Sequence, residues 1–184
     1  MNRDRINKSI VALLIEIHGP DWYDNTNLKD TPGRVAKMYE EMLGGHEFTF
    51  TTMPNTDKYN QIILVDHIPF TSMCMHHIIP FFGHASVAYI PDGKIAGLSK
   101  LTRAVEHFAR KLQLQENLTQ ETGEFIQKKL KPLGTAVIIE AEHLCMRGRG
   151  VRKSGVITKT SYLRGAFLEK PAAREELMFL LRSK

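Results

Sequence analysis

Apolar residues recur at three- and four-residue spacing from Ile6 through Ile10, Leu13 and Leu14 to Ile17, the period of a helix with one buried stripe, and Gly19-Pro20 stops it. A second helix is predicted at "DTPGRVAKMYEEML": Asp30 or Thr31 caps it, Pro32 sits in the first turn, and Val35, Met38 and Met42 share a face. Residues 44–60 follow neither period and read as loop. The texture then changes to strands, "QIILVDHIPF" and "HASVAYI", the latter closed by "PDGK", whose Asp92-Gly93 pair suits a hairpin turn. Two helices come next. Ser99 opens the first, with Leu101, Ala104, Val105, Phe108 and Leu112 as its core face. The second runs roughly from Thr119 to Leu130 and ends at Pro132 and Gly134. Strands resume at "TAVIIEAEH" and "VITKTSYLRGAF", and an amphipathic helix near "AAREELMFLL" closes the chain.

The order ββααββ behind a helical N-terminal segment predicts an α+β fold with a mainly antiparallel sheet. No repeat, low-complexity tract or linker divides the 184 residues. A single domain is therefore expected, with a helical arm over 1–50 and the sheet-bearing part over 51–184. Hydrophobic content of 42% and charged content of 24% describe an ordinary globular chain, neither disordered nor membrane-bound. The net charge of +5 leaves nucleic acid, an acidic membrane surface and a phosphorylated metabolite open as partners. The cations gather at short motifs and not along one stripe, which argues against nucleic acid. Glu16 interrupts "SIVALLIEI", so neither a signal peptide nor a membrane span is expected. Two cysteines without a disulfide framework point to a reducing, cytoplasmic compartment.

The chemistry concentrates in "TSMCMHHIIPFF" and "EAEHLCMRGRGV". Cys74 and His77 have zinc-like spacing, which alone also fits a buried cysteine beside a hydrogen-bonded histidine. Cys145, at the end of a predicted strand, changes the balance, because a sheet can bring that strand end to the Cys74 loop. Cys74, His77 and Cys145 then form a Cys2His set with the fourth position left for water, the pattern of a catalytic zinc. A Cys74–Cys145 disulfide fits the count but not the compartment. Neighbours on an extended chain point opposite ways, so His76 and His77 are not expected to bind one ion together. His76 and His143 remain as imidazoles suited to proton transfer, or as core histidines. Ser99, Lys100 and Arg103 in "GLSKLTRAVEHFAR" gather at a helix start, where free backbone N–H groups and two cations suit an anion; taken locally, a capped helix with a solvated basic face is the favoured reading.

Taken together, "CMHHIIPFFG", "GLSKLTR", "LQLQENLT", "EAEHLCM" and "RGVRK", with "TPGRVAKM" upstream and "TSYLRGAF" downstream, resemble GTP cyclohydrolase I of the folate pathway, in order, from about residue 30 to 168. The resemblance implies the tunnelling fold (T-fold): a four-stranded antiparallel sheet with two helices on one face and an N-terminal helical arm. It implies subunits joined in a pentameric β-barrel, a homodecamer of two pentamers, and active sites between subunits. By position, Cys74, His77 and Cys145 correspond to the ligands of one Zn2+ per subunit, and His76 and His143 to the catalytic histidines. Ser99, Lys100, Arg103 and Arg149 correspond to triphosphate contacts, with Arg34 and Lys37 reaching in from a neighbour. Gln115 and Glu116 correspond to the guanine-recognition pair. The activity implied is hydrolysis of GTP to 7,8-dihydroneopterin triphosphate and formate, without nucleic acid or membrane as partner.

Two positions depart from that pattern. Met75 stands where the family usually has Glu, and Arg147 follows Met146 where Met-Thr is usual. Two other readings use part of the same residues: a GTP-binding relative whose turnover is altered or lost through Met75, and a T-fold enzyme feeding 7-deazapurine synthesis.

Overall fold

Helix α1 (Arg3–His18) ends where Gly19 adopts φ +101° and its N–H bonds the Ile15 carbonyl, a conformation that glycine reaches without a Cβ penalty. The computed structural model describes residues 1–45 and 47–183. Two compact units divide the chain, Met1–Gly44 and Gly45–Lys184.

In the first unit α1 packs on α2 (Thr31–Leu43). Asp30 stands at the N-cap of α2, but its carboxylate accepts from Arg34 at 3.3 Å and bonds no backbone N–H. The buried face of α2 centres on Pro32 and Ala36, while Met38 is exposed. The periodic stripe of α1 is covered only in part, since Leu13 and Ile17 are exposed.

The second unit is built on a five-stranded sheet of order β5-β2-β3-β6-β7. Its long members are β2 (Ile63–Cys74), β3 (Ile79–Ile90), β6 (Gly134–His143) and β7 (Thr158–Gly165), all antiparallel. The two-residue β5 (Leu112–Gln113) runs parallel to the end of β2. The α+β class with a mainly antiparallel sheet is therefore as expected. Among the described residues no helix is long and apolar enough to cross a membrane.

Alternation along the strands assigns two faces. Val87, Tyr89, Val137 and Ile139 are fully buried with Leu101 and Val105 of α3 (Leu98–Ala109) and Leu118 and Ile126 of α4 (Gln115–Leu130). Each such side chain contributes about 1.5–3 kcal/mol by leaving water. The intervening Ala88, Ile90 and Ala136 pack beneath Phe167 and Leu177 of α6 (Ala166–Glu169) and α7 (Pro171–Arg182).

Several expectations need correction. Within the predicted 44–60 loop, of which His46 lies outside the described residues, β1 (Thr52–Pro54) pairs with β4 (Lys94–Ala96); three-residue strands are too short to show a period. Asp92-Gly93 makes a turn but no β3–β4 hairpin. Asn55 takes hold of it instead, donating its side-chain amide to the Asp92 carbonyl at 2.8 Å and its N–H to the Gly93 carbonyl at 3.1 Å. Leu112 is not on α3 but in β5, half exposed. Helix α4 starts at Gln115, four residues before the predicted Thr119, because extended Leu114 at its N-cap joins it directly to β5. The one-turn helix α5 (Leu144–Arg147) was not foreseen, being too short for a period.

Gly123 in α4 has a packing reason: a Cβ there would lie 2.2 Å from Cδ1 of the Tyr162 ring on β7, a severe overlap. Gly123→Ala is expected to cost about 1–3 kcal/mol by overpacking. The check is a lowered urea midpoint that Tyr162→Leu in the same chain partly restores; equal losses with and without the second change would assign the cost elsewhere.

Candidate metal centre and substrate clefts

Strand β2 ends at Cys74 and β3 begins at Ile79, paired with it, so residues 75–78 turn tightly. The Cys74 carbonyl accepts from His77 N–H at 3.3 Å and from Ile78 N–H at 2.8 Å, and Ile78 takes φ +52°, an uncommon setting for a β-branched residue. The Met75 N–H donates to the Gln113 carbonyl of β5 at 3.1 Å. This turn folds His77 back over Cys74, with Nδ1 3.8 Å from Sγ. His76 and His77 therefore diverge because the chain turns, not because it is extended; their rings lie 6.1 Å apart at 81°.

The third sulfur arrives from β6. Its last residue, His143, pairs with Phe81, and α5 then lifts Cys145 to the same end of the sheet. The ligand atoms of Cys74, His77 and Cys145 all lie within 4.8 Å of one another, and both thiols are free. Tetrahedral zinc with two thiolates and an imidazole needs ligand separations of about 3.5–3.8 Å, so a small contraction suffices. The donor chemistry fits, since two soft sulfurs and an imidazole suit zinc. Burial pushes the Cys145 thiol up, the neighbouring Cys74 pushes it further, and Arg149 opposes both. A divalent cation would offset that cost by neutralising the adjacent thiolates.

His143 stacks on Phe81 with ring centroids 4.6 Å apart and planes 2° apart. Its Nε2 lies 2.9 Å from Oε1 of Gln115, the first residue of α4. Burial lowers the His143 pKa, while the Glu116 carboxylate partly restores it. The two residues that open α4 face differently: Gln115 is buried, whereas Glu116 is exposed and lines a cleft of about 370 Å3 with Thr119, Gln120, Glu124, Thr160 and Arg164.

Lys100 and Arg103 of α3 line another cleft, about 420 Å3, with Glu47, Phe48 and Thr49. Ser99 is exposed in the first turn of the same helix, and Arg149 is exposed beyond α5. The Glu116 cleft and the Lys100 cleft share no lining residue. In the N-terminal unit, Arg34 and Lys37 line a hollow of about 550 Å3 with Arg3 and Lys29, paired there with Asp30 and Glu41. Of the residues singled out in the sequence, the fold thus gathers the two cysteines with His77, and His143 with Gln115. Phe81 was missed as a support for His143. It lay in the apolar run 78–82, and only its cross-strand register with His143 marks it out.

The two unusual residues fare differently. Met75 is partly exposed on the turn. Arg147 spends its charge on Glu142, at 3.1 Å, and the other Glu142 oxygen accepts from Gly155 N–H at 3.1 Å. The extra cation is therefore matched locally, and the pair ties the end of β6 to the segment that follows Arg149.

The family model described as GTP cyclohydrolase I matches residues 6–182. Among similar proteins, the GTP cyclohydrolase 1 of Hydrogenobaculum sp. (strain Y04AAS1) is 49% identical over 172 residues, covering 94% of each chain. That of Aquifex aeolicus (strain VF5) is 48% identical over 175 residues, 95% of each. That of Sulfurihydrogenibium sp. (strain YO3AOP1) is 45% identical over 183 residues, covering 100% of this chain and 97% of its own.

Cys74→Ser and Cys145→Ser should each lower zinc affinity by more than the roughly 10–100-fold typical of losing an outer-shell partner. Zinc titration against a chelator of known affinity reads this directly. Wild-type affinity in either variant would remove that sulfur from the set.

Proposed function

The chain belongs to the GTP cyclohydrolase I family, and on that premise we propose that it hydrolyses GTP, opening the purine imidazole ring and releasing formate to give 7,8-dihydroneopterin triphosphate, the first step of tetrahydrofolate and pterin biosynthesis. The observation that carries this reading is the convergence of Cys74, His77 and Cys145 beside His143, in a chain that matches the family model over nearly its whole length.

In this reading Cys74, His77 and Cys145 hold one zinc ion per subunit. Zinc bound there supplies Lewis-acid activation of water near neutral pH. Water adds at C8 of the purine while His143 delivers a proton to N7, which opens the ring; a second hydrolysis releases formate, and the ribose rearranges to close the pterin. His76 serves as the second proton-handling imidazole. Glu116 reads the base, because a carboxylate accepts from guanine N1–H and the exocyclic amine together, a pair that adenine lacks. Ser99, Lys100, Arg103 and Arg149 bind the triphosphate, and the geometry of the bound chain of phosphates holds C8 at the reacting end.

The site is completed between subunits, with Arg34 and Lys37 contributed by a neighbour. Separate linings for the Glu116 and Lys100 clefts support a site assembled from more than one chain. The outer edges of β7 and of β2 before Met73 have no strand partner among the described residues, which favours sheets joining edge to edge. The assembly proposed is a pentameric barrel, doubled to a decamer. Zinc-ligating thiols suit a reducing, cytoplasmic setting.

Incubating the purified protein with GTP and identifying formate and the fluorescent pterin formed on oxidation tests the activity; GTP left intact by zinc-loaded protein would overturn it. Glu116→Gln should reduce GTP binding about tenfold or more, since one acceptor becomes a donor facing the base's own donors at about 1–3 kcal/mol. Wild-type binding of ATP as tight as GTP would reject this role. Arg149→Ala should weaken GTP much more than guanosine, read by competition binding, and equal effects would mean that Arg149 meets no phosphate.

A further inference from the structure

We propose that Gln115 is a positioning residue for His143: it holds the imidazole as an Nε2 donor and so fixes the plane and direction in which the ring meets substrate. This rests on the hydrolytic reading above, and it parts Gln115 from the base-reading role that resemblance pairs with Glu116.

The hydrogen bonds determine the orientation. The Gln115 amide nitrogen lies 3.1 Å from the Ile139 carbonyl, 3.0 Å from the Thr158 carbonyl and 3.1 Å from Thr160 Oγ1. Two of these are backbone carbonyls, which only accept, so the NH2 end must face them and the amide cannot be flipped. Thr119 supports the same arrangement. Its hydroxyl donates to the Gln115 backbone carbonyl at 2.8 Å and lies 2.6 Å from Thr160 Oγ1. With that proton spent, Thr160 donates to Thr119 and is left to accept from Gln115.

The amide oxygen is what remains, and it also only accepts. His143 Nε2, 2.9 Å away, is therefore the donor. A neutral ring held as an Nε2 donor is fixed in one tautomer, with Nδ1 as its unprotonated nitrogen. The Phe81 ring parallel to it at 4.6 Å removes the remaining tilt freedom. Gln115, 2% exposed, has both amide hydrogens engaged and its oxygen turned to His143, so it offers a purine no free donor and almost no surface. Glu116, one residue on, is exposed in a cleft.

Gln115→Met removes the acceptor while keeping a side chain of similar length. The expected result is a kcat for GTP lowered between about 10- and 1,000-fold, the scale of losing well-placed acid–base catalysis. KM should stay within about twofold, with the preference for GTP over ITP unchanged. A raised KM at wild-type kcat, or a lost preference for GTP over ITP, would return Gln115 to the base and overturn the proposal. Because the substitution also strips donors from buried carbonyls, a second measurement does not depend on the variant. Solid-state 15N spectra of histidine-labelled, zinc-loaded wild type, with His143 assigned by its loss in His143→Asn, should show the neutral ring protonated at Nε2. Neutral His143 protonated at Nδ1 would overturn the assignment. Wild type that releases no formate from GTP would defeat the hydrolytic reading, and the tautomer measured on the same sample would still decide the role of Gln115.

Discussion

The antiparallel register of β2, β3 and β6 is the constraint on which the rest depends. It brings the end of β2, the start of β3 and the end of β6 to one end of the sheet, pairing Cys74 with Ile79 and Phe81 with His143. Side chains alternate along a strand, so a slip of one residue would turn His143 to the opposite face and carry Cys145 away from Cys74. The fully buried Val87, Tyr89, Val137 and Ile139 oppose that slip, since it would take them from the α3 and α4 side and put the smaller Ala88 and Ala136 in their place. Core packing and metal-ligand spacing are thus one requirement expressed at two ends of the same strands.

A second layer of control is polar. Buried hydrogen-bonding groups are costly unless matched, and among the described residues no buried side-chain nitrogen or oxygen lacks a partner. Tyr89 shows how this is met within the core: its hydroxyl accepts from the Ala96 N–H at 2.9 Å and so anchors the short β4 to the long sheet. Ser72 does the same at the site end of β2, donating to the Ala109 carbonyl where α3 finishes. Gln113 follows, its amide donating to the Phe108 carbonyl and to Glu121 while its own carbonyl holds Met75. These contacts fix the backbone on both sides of Cys74 before any metal is considered.

The opposite face of the sheet carries a different character away from α6 and α7. Glu140 pairs with Lys159 at 2.7 Å, and Ser86 and His67 both engage Asp66 next to the irregularity between Val65 and Ile68. Burial would raise the Asp66 pKa, but the Ser86 and His67 hydrogen bonds outweigh it and hold the carboxyl below its ordinary value. Exposed pairs of this kind contribute little to stability, about 0–1 kcal/mol each. Their importance is that this part of the face is polar, with the apolar load carried by the α3 and α4 side and by the cluster under α6 and α7.

Sequence alone determined the succession of elements, because hydrophobic period is a local property: 3.6 for the helices, 2 for the strands. The same is true of the donor types, since cysteine, histidine and arginine keep their chemistry wherever they fold, and the ordered set of motifs carried the family. Short features escaped, and for a physical reason. The strands Thr52–Pro54 and Lys94–Ala96 and the turn of helix at Leu144–Arg147 contain too little more than one repeat of any pattern to show a period, and the two strands are paired with each other across a long stretch of chain. The roles of individual site residues also waited for tertiary structure. Adjacent in sequence and alike in polarity, Gln115 and Glu116 differ because a helix turns successive side chains by about 100°, one toward the sheet and one toward solvent. Arg147 read as an added cation until Glu142, five residues earlier, was found to neutralise it. Phe81 counted as one more apolar residue until the register set it flat against His143. Sequence names the groups that can react; which of them face one another is decided by register and helix phase, because only those fix direction in space.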